Sequence, residues 1–193
     1  MEIKTLKAQI EAILFAAGEP VEVEKLAEVL EIEPETVAQG IRLLQDDYDA
    51  EERGILLVKL DQSVQLVTKD IYADLIRAAL EIRRNTPLSQ AAMEVLSVIA
   101  YNQPVTKGFV EQVRGVESGQ IVNNLVEKGL VEEAGRLDVP GRPISYRTTL
   151  HFLRCFGISS LDQLPALPDQ SGQVLLDEYI ASEKTAAAES DPE

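Results

Sequence analysis

One histidine and one cysteine, four positions apart, form the first pair of residues in this sequence that could do chemistry. On a helix, His151 and Cys155 would share a face and could form a Cys-His dyad or half of a metal site. A zinc site needs further cysteine or histidine ligands, and the sequence holds only this one of each. We therefore expect both side chains to pack on a helix without a catalytic or metal-binding role.

The other residue patterns that usually carry catalysis are absent from the sequence. It contains no Gly-x-x-x-x-Gly-Lys-Ser/Thr phosphate loop, no Gly-x-Ser-x-Gly elbow and no His-Glu-x-x-His motif. Carboxylates are concentrated at Asp46, Asp47, Asp49, Glu51 and Glu52. Because this stretch lacks the central glycine and alternating ligands of a calcium loop, we expect a solvated helix end rather than a cation site or an acid/base pair. The sequence therefore predicts no enzymatic activity, no cofactor and no metal.

The charge of the chain disfavours autonomous binding to nucleic acid. The formal net charge is −15, and it is unevenly distributed. Residues 1–86 carry 10 Lys and Arg against 18 Asp and Glu, residues 87–157 carry 7 against 7, and residues 158–193 carry 1 against 8. A field of this sign repels a polyanion unless a local basic patch overrides it.

One short stretch could still read bases. Gln120, Asn123 and Asn124 belong to a predicted helix over 117–128, and amide side chains of this kind pair with base edges. Lys128 is the only cation of that helix, so the phosphate contacts that normally supply affinity would be few. A DNA-binding transcriptional regulator that reads bases with these amides is therefore one function to weigh, and binding to other proteins is the other.

Six tyrosine, arginine and glutamine residues are the best candidates for binding another protein. Tyrosine and arginine are the side chains that most often anchor protein interfaces. Two prolines flank Gly141 and Arg142 and prevent a regular strand ladder there, so we expect a shaped loop. The candidate set is Tyr101, Gln103, Arg114, Arg142, Tyr146 and Arg147. An alternative of equal weight makes Tyr101 and Tyr146 half-buried core residues with their hydroxyls in water.

Apolar spacing predicts the elements that would position these residues. One face of a first helix is outlined by Leu6, Ile10, Ile13, Leu14 and Ala17. Two shorter helical patterns follow, and then two β-rich runs, 55–60 and 64–68, flank a polar Asp61-Gln62-Ser63 break. A fourth helix is predicted over 71–80. Three helices followed by a hairpin is the order of a winged helix-turn-helix.

The second half of the chain repeats this order with an offset of 84 residues, which aligns Pro20 with Pro104 and Val37 with Ile121. Apolar character is kept although identity is low, so a structural duplication is indicated. The predicted fold class is mainly α with small β-hairpins (α+β), in two tandem winged helix-turn-helix domains. We place the N-terminal domain at 1–83, a linker at 84–88, the C-terminal domain at 89–168 and an acidic, largely disordered tail at 169–193.

The compartment is indicated only indirectly. No run of about 18 apolar residues exists, which disfavours a membrane span, and the N-terminus lacks the basic and apolar regions of a secretion signal. A single cysteine leaves no internal disulfide and suits a reducing compartment. We therefore expect a cytoplasmic protein.

An ordered set of motifs carries a resemblance to a known family. In the second half it comprises Ala100-Tyr101-Asn102-Gln103-Pro104-Val105-Thr106, Arg114-Gly115-Val116-Glu117-Ser118, Leu125-Val126-Glu127-Lys128-Gly129-Leu130 and Asp138-Val139-Pro140-Gly141-Arg142-Pro143. In the first half it comprises Ile10-Glu11-Ala12-Ile13-Leu14-Phe15-Ala16-Ala17-Gly18-Glu19-Pro20. The chain closely resembles the segregation and condensation protein B family, the bacterial ScpB proteins, over about residues 5 to 167. It departs from the family pattern at Asp61-Gln62-Ser63, where a Gly-Gly pair is common, and at Arg147, where glycine is common.

The resemblance implies a specific function. Members are non-catalytic accessory subunits of the bacterial Smc condensin complex, which compacts and segregates chromosomes. They form homodimers, largely through the N-terminal winged-helix unit, and bind the kleisin ScpA. The Smc ATPase is reached through the kleisin, DNA is reached indirectly through the complex, and the location implied is the cytoplasm in association with the nucleoid. For the dimer we predict an apolar surface on the first domain to which Leu6 and Ile10 contribute.

Overall fold

The protein forms two compact units, and each is described here by itself. Unit 1 comprises Met1–Thr86 and unit 2 comprises Pro87–Glu193. The computed structural model describes residues 2–50, 52–81, 87–139 and 141–166. The predicted tail and most of the predicted linker lie outside these residues, so those two predictions stay as stated.

The described residues of unit 1 form four α-helices and a small antiparallel sheet. In chain order its elements are α1 (Ile3–Ala17), β1 (Val21–Glu22), α2 (Val23–Leu30), α3 (Pro34–Asp49), β2 (Ile55–Leu60), β3 (Ser63–Thr68), a 3-10 turn (Asp70–Tyr72) and α4 (Ala73–Ala79). The strand order in the sheet is β1-β3-β2. Pro34 occupies the first turn of α3, where its fixed φ favours the helix and its missing N–H costs nothing.

Unit 2 has the same order of elements. They are α5 (Gln90–Asn102), β4 (Val105–Thr106), α6 (Lys107–Arg114), α7 (Gly119–Glu127), β5 (Val131–Arg136), β6 (Ile144–Thr148), α8 (Leu150–Phe156) and a final 3-10 turn (Leu161–Gln163). The strand order β4-β6-β5 matches that of unit 1. The predicted fold class, mainly helical with small β-hairpins, is confirmed. Within the described ranges, no helix combines the length and apolar character that crossing a membrane requires.

The core of unit 1 is built where α1 crosses α3. Leu6 and Ile10 are buried on the face of α1 that meets Gly40 of α3. A Cβ added at Gly40 would lie 3.0 Å from both side chains, so only glycine lets the two helices come this close without displacement. Leu6 and Ile10, predicted above to lie on a dimer surface, are therefore core residues. Their side chains offer no surface to a second copy.

The hairpin of unit 1 is tighter than the sequence indicates. Leu60 pairs directly with Ser63, so the turn contains only Asp61 and Gln62, and Ser63 belongs to the strand. Asp61 has φ +53°, a left-handed conformation that aspartate tolerates better than most residues.

The helix starts in unit 2 are capped by the side chains of their N-cap residues, except at α7. Ser89 and Thr106 accept hydrogen bonds from the backbone N–H groups of Ala92 and Phe109 at 3.2 and 3.1 Å. Ser118, at the N-cap position of α7, makes no such bond to its own helix.

The start of α7 is capped instead by a carboxylate from the preceding helix. Glu111 Oε1 accepts hydrogen bonds from the N–H groups of Ser118 and Gly119, each at 3.0 Å. A carboxylate at a helix N-terminus is also favoured by the helix dipole. Nothing in the local sequence pattern identifies this contact, because the residues are seven and eight positions apart.

Two polar contacts fasten α3 to α1 at the edge of the core. Lys7 pairs with Asp47, and the Tyr48 hydroxyl donates a hydrogen bond to the Glu11 carboxylate. Burial, and next the Glu11 carboxylate, raise the pKa of Tyr48 to about 12 from its ordinary value of 10.0. The folded state therefore holds the phenolic proton more tightly than the unfolded chain does.

Replacing Gly40 by leucine should destabilise unit 1 by about 3 kcal/mol, because overpacking against buried Leu6 and Ile10 outweighs the roughly 1 kcal/mol gained in helix propensity. Calorimetric or urea unfolding of the full chain measures the loss. The matched control is Gly119→Leu in α7, where the nearest atoms are side-chain atoms of Glu111 and Lys107 at 3.4 and 3.8 Å, both ordinary van der Waals distances. The control should change stability by less than about 0.5 kcal/mol. Equal effects of the two substitutions would contradict the close-approach argument.

The raised pKa of Tyr48 predicts alkaline destabilisation. Stability contributed by the neutral phenol is complete below pH 10 and is lost as pH rises from 10 to about 12, an effect of roughly 2–3 kcal/mol. Tyr48→Phe should remove this component, so its unfolding free energy should fall less steeply over that window than that of the wild type. Urea unfolding of both proteins at pH 9, 10, 11 and 12 would test it, and parallel curves would refute it.

Candidate protein-binding surface

The tip of the second hairpin is a loop with a defined backbone. The backbone N–H of Leu137 donates to the carbonyl of Pro143 at 3.0 Å, and that of Arg142 donates to Val139 at 2.9 Å. The Arg136 guanidinium donates to the Arg142 carbonyl at 2.8 Å. Val139 is buried and anchors the loop on unit 2. The sequence prediction of a shaped loop here agrees with these contacts.

Arg142 is presented to solvent from this loop. Its φ of +41° is in the left-handed region, which costs a non-glycine residue about 1 kcal/mol and persists only where neighbouring contacts impose it. The residue is exposed, and within the described ranges its guanidinium has no hydrogen-bonded partner. A fixed backbone carrying an exposed guanidinium is suited to bidentate binding of a carboxylate.

Arg147 lies on the same hairpin and is also exposed. Its Nε donates to Glu132 Oε1 at 2.7 Å, and the two residues are directly paired across β5 and β6. The guanidinium keeps further N–H groups for a partner. Sequence reasoning missed Glu132, although the strand register would have revealed it.

Arg114 is used inside unit 2. Its guanidinium donates to Ser118 Oγ at 2.7 Å and to Glu94 Oε2 at 2.9 Å, and only 11% of its side chain is exposed. The hydrogen bond from Arg114, followed by one from Gln90, holds the pKa of Glu94 below its usual value. Arg114 therefore links α5, α6 and the start of α7 and offers little surface to a partner.

The two tyrosines and Gln103 are also engaged within the unit. Tyr146 is buried, and the Tyr101 hydroxyl donates to the Pro165 carbonyl at 2.7 Å. Gln103 Oε1 accepts hydrogen bonds from both the N–H and the hydroxyl of Thr148. The core interpretation of the tyrosines thus fits the structure better, except that the Tyr101 hydroxyl meets a backbone carbonyl rather than water.

The amides that could read bases are partly occupied by neighbours. Gln120 Nε2 donates to Asn124 Oδ1 at 3.2 Å, and Lys107 Nζ donates to Asn123 Oδ1 at 2.7 Å. Lys107 belongs to α6, and its ammonium group lies beside the amide side chains of α7. The sequence pattern of α7 alone does not show this additional cation. The same ammonium lies 5.5 Å from the centre of the Tyr146 ring, so it is held on the unit by two contacts.

The His151 and Cys155 pair does form on α8, with Sγ and Nε2 3.5 Å apart. Burial raises the pKa of the Cys155 thiol and, together with the charge of Arg154, lowers the pKa of His151. Both groups are therefore neutral near pH 7, which disfavours a reactive thiolate. Across the part of the chain that the structure describes, no three His, Cys, Asp or Glu side chains are grouped to hold a metal ion.

The functional residues of the sequence thus separate into two groups. Arg142 and Arg147 are both exposed, one in the loop at the tip of the second hairpin and the other near the far end of β6, whereas Tyr101, Gln103, Arg114 and Tyr146 are engaged within unit 2. The family model described as segregation and condensation complex subunit ScpB matches residues 8–167. The chain belongs to the ScpB family.

Individual ScpB relatives match over nearly their whole length. Segregation and condensation protein B of Ruminiclostridium cellulolyticum is 42% identical over 181 residues, which cover 93% of this chain and 95% of the relative. That of Caldanaerobacter subterraneus is 47% identical over 167 residues, 86% of this chain and 99% of the relative. A solved structure described as a dimer of the ScpB N-terminal domain complexed with ScpA peptide is 38% identical, covers 40% of this chain and 96% of that chain, and has a TM-score of 0.39.

The effect of substitution on the unfolding free energy should distinguish the exposed Arg142 from Arg114, whose hydrogen bonds lie within unit 2. Arg114→Ala should lower the unfolding free energy of unit 2 by about 2 kcal/mol, because it leaves Ser118 and Glu94 without their shared charged donor. Arg142→Glu should change it by less than about 0.5 kcal/mol, since the loop bonds of residue 142 involve its backbone. Chemical unfolding of each variant measures the difference. If Arg142→Glu proved as damaging as Arg114→Ala, the loop arginine would be structural.

Proposed function

We propose that this chain is a non-catalytic accessory subunit of a bacterial Smc condensin complex that binds the kleisin ScpA as a homodimer. The observation that carries the proposal is the ScpB family match over residues 8–167, which spans elements of both units. The Smc ATPase is engaged through the kleisin, and DNA is engaged indirectly through the whole complex. The protein then acts in the cytoplasm, with the nucleoid, in chromosome condensation and segregation.

The chemistry of the described residues supports binding rather than catalysis. His151 and Cys155 are both neutral near pH 7, and a neighbour of His151 Nδ1 is the cationic Arg154 guanidinium rather than a carboxylate. Among the residues that the structure describes, no third His, Cys, Asp or Glu joins the pair to hold a metal. Polar side chains of unit 2 such as Glu111 and Arg114 form hydrogen bonds that join its own helices. An adaptor needs only a stable scaffold and a surface of suitable charge and shape.

The second hairpin is the part of unit 2 that best fits a partner contact. Arg142 in the loop and Arg147 on β6 place two exposed guanidinium groups on one hairpin of a chain whose net charge is −15. These guanidinium groups would attract carboxylates of a kleisin segment, while the acidic remainder of the protein would repel the same segment. Electrostatic steering of this kind sets orientation and association rate more than total affinity.

The test is co-purification of the full chain with the central region of the cognate kleisin at moderate salt. We expect a stable complex, and Arg142→Glu should weaken it by about tenfold or more. Lys128→Glu is the matched control, because it makes the same charge change on an exposed residue at the C-terminal end of α7, outside the second hairpin. Failure of both folded proteins to associate would exclude the adaptor function.

A parallel measurement addresses the regulator alternative. Titration of the isolated chain with duplexes of different sequence should show no selective binding near physiological salt, because the charge field supplies few phosphate contacts. Sequence-selective binding that Asn123→Ala abolishes would favour a transcriptional regulator instead.

A further inference from the structure

Two arginines at the tip of the second hairpin have no carboxylate partner among the residues that the structure describes. Arg136 is the last residue of β5, and its guanidinium donates to the Arg142 carbonyl at 2.8 Å, so both positive groups belong to one small area of the surface. Both residues are exposed. By contrast, Arg114 and Arg147 each form an ion pair with a glutamate of unit 2. We define the arginine tip as Arg136 and Arg142.

The arginine tip is suited to an anion that carries two carboxylates. Arginine has N–H donors and no acceptor, and its planar guanidinium binds a carboxylate through charge-assisted hydrogen bonds. Two positive charges in one small area also repel each other, and two neighbouring carboxylates relieve that repulsion. Asp138 belongs to the same loop and is exposed, yet it forms no ion pair with either arginine in the described part of the chain. A ligand of this kind therefore comes from outside the loop.

The chain itself contains such carboxylates beyond the last described residue. Residues 167–193 hold seven Asp and Glu against one Lys. Asp177 and Glu178 are the only two adjacent acidic residues among them, so they match the two guanidinium groups of the arginine tip in number and in sign of charge. Residues 87–157 have no net charge, and this part of unit 2 therefore does not repel an acidic segment as the whole chain does.

The last described residues lie near the base of the same hairpin. The Tyr101 hydroxyl donates to the Pro165 carbonyl at 2.7 Å, and two positions further along Gln103 is hydrogen-bonded to Thr148, the last residue of β6. The arginine tip begins six residues before Thr148, which is about 20 Å along a strand. Asp177 is twelve positions beyond Pro165, and twelve residues span up to about 40 Å. The acidic pair is therefore within reach of the tip of its own hairpin.

We propose that Asp177 and Glu178 bind the arginine tip of their own chain and compete there with the carboxylates of the kleisin. The competition rests on the kleisin binding of the proposed function. A segment on the same chain acts at an effective concentration that reaches the millimolar range for short connections, so even a weak contact covers the tip part of the time. The apparent affinity for the kleisin falls with the fraction of chains whose tip is uncovered. The acidic pair thus makes the protein select a partner that displaces it.

The contact is tested without the kleisin by NMR of the full chain, because the Nε–H signal of each arginine responds to what its guanidinium binds. The double variant Asp177→Asn, Glu178→Gln should shift the signals of Arg136 and Arg142. It should leave the signal of Arg114 in place, since that guanidinium is bound to Ser118 and Glu94 within unit 2. Tip signals that do not move in the double variant would overturn the proposal.

The matched control is the double variant Glu189→Gln, Asp191→Asn, which removes the same charge from a later part of the same segment. Its tip signals should stay where the wild type has them. Equal shifts in the two double variants would mean that the tip responds to the total charge of residues 167–193, and the assignment to the adjacent pair would be wrong.

The competition is tested by measuring association of the full chain with the central region of the kleisin. The variant Asp177→Asn, Glu178→Gln should bind about threefold more tightly than the wild type at low salt, because its tip is uncovered. Replacing both Arg136 and Arg142 by glutamine should abolish this gain, since the tip then has no charge to cover. The gain should also vanish near 1 M salt, where the Debye length is about 3 Å.

The two measurements separate this inference from the function beneath it. Kleisin affinity that is the same in the wild type and in Asp177→Asn, Glu178→Gln would overturn the competition and leave the adaptor function standing. Shifted tip signals in a chain that binds no kleisin at all would exclude the adaptor function and support the contact between the acidic pair and the arginine tip.

Discussion

The packing of the first helix of each unit on its third helix is the contact on which the rest of the structure depends. In unit 1, α1 and α3 approach so closely at Gly40 that Leu6 and Ile10 fill the space a side chain would need. In unit 2, Val95 and Ile99 of α5 are fully buried in the same way, as are Val122 and Leu125 of α7. Small units bury a limited fraction of their surface, so a single helix crossing supplies much of the core. The strands and the remaining helices are positioned around it.

The helical and strand periods of the sequence were sufficient to predict the order of elements, because burial of one face imposes those periods directly. They could not show which apolar residues stay inside. Leu6 and Ile10 have the same spacing whether they face α3 or another molecule, and only the absence of a side chain at Gly40 decides between the two. The turn predicted for the first hairpin was also one residue too long. It included Ser63, which is polar yet pairs with Leu60 within the sheet.

The candidate site was predicted less well than the fold, for a related reason. Residue type marks tyrosine and arginine as interface anchors, but the same hydrogen-bonding groups serve equally well to join helices. Arg114 donates hydrogen bonds to Glu94 of α5 and to Ser118 before α7. Tyr101 donates to the carbonyl of Pro165, which is 64 positions away in the sequence. Such partners are set by tertiary structure, and no local spacing encodes them. The surroundings of Arg142 were predictable, because the two prolines that flank Gly141 and Arg142 indicate an irregular backbone from the sequence itself.

Glu111 gives the second unit a property that its fold alone does not suggest. The exposed N–H groups at the start of a helix are a common docking point for phosphate oxygens, and related folds bring such a helix to the nucleic-acid backbone. Here that position already holds a tethered carboxylate, hydrogen-bonded to the N–H groups of both Ser118 and Gly119. A phosphate would have to displace a covalently attached competitor of like charge, whose effective concentration is high because it belongs to the same domain. The start of α7 thus carries its own resident anion, which opposes the binding of a phosphate at those N–H groups.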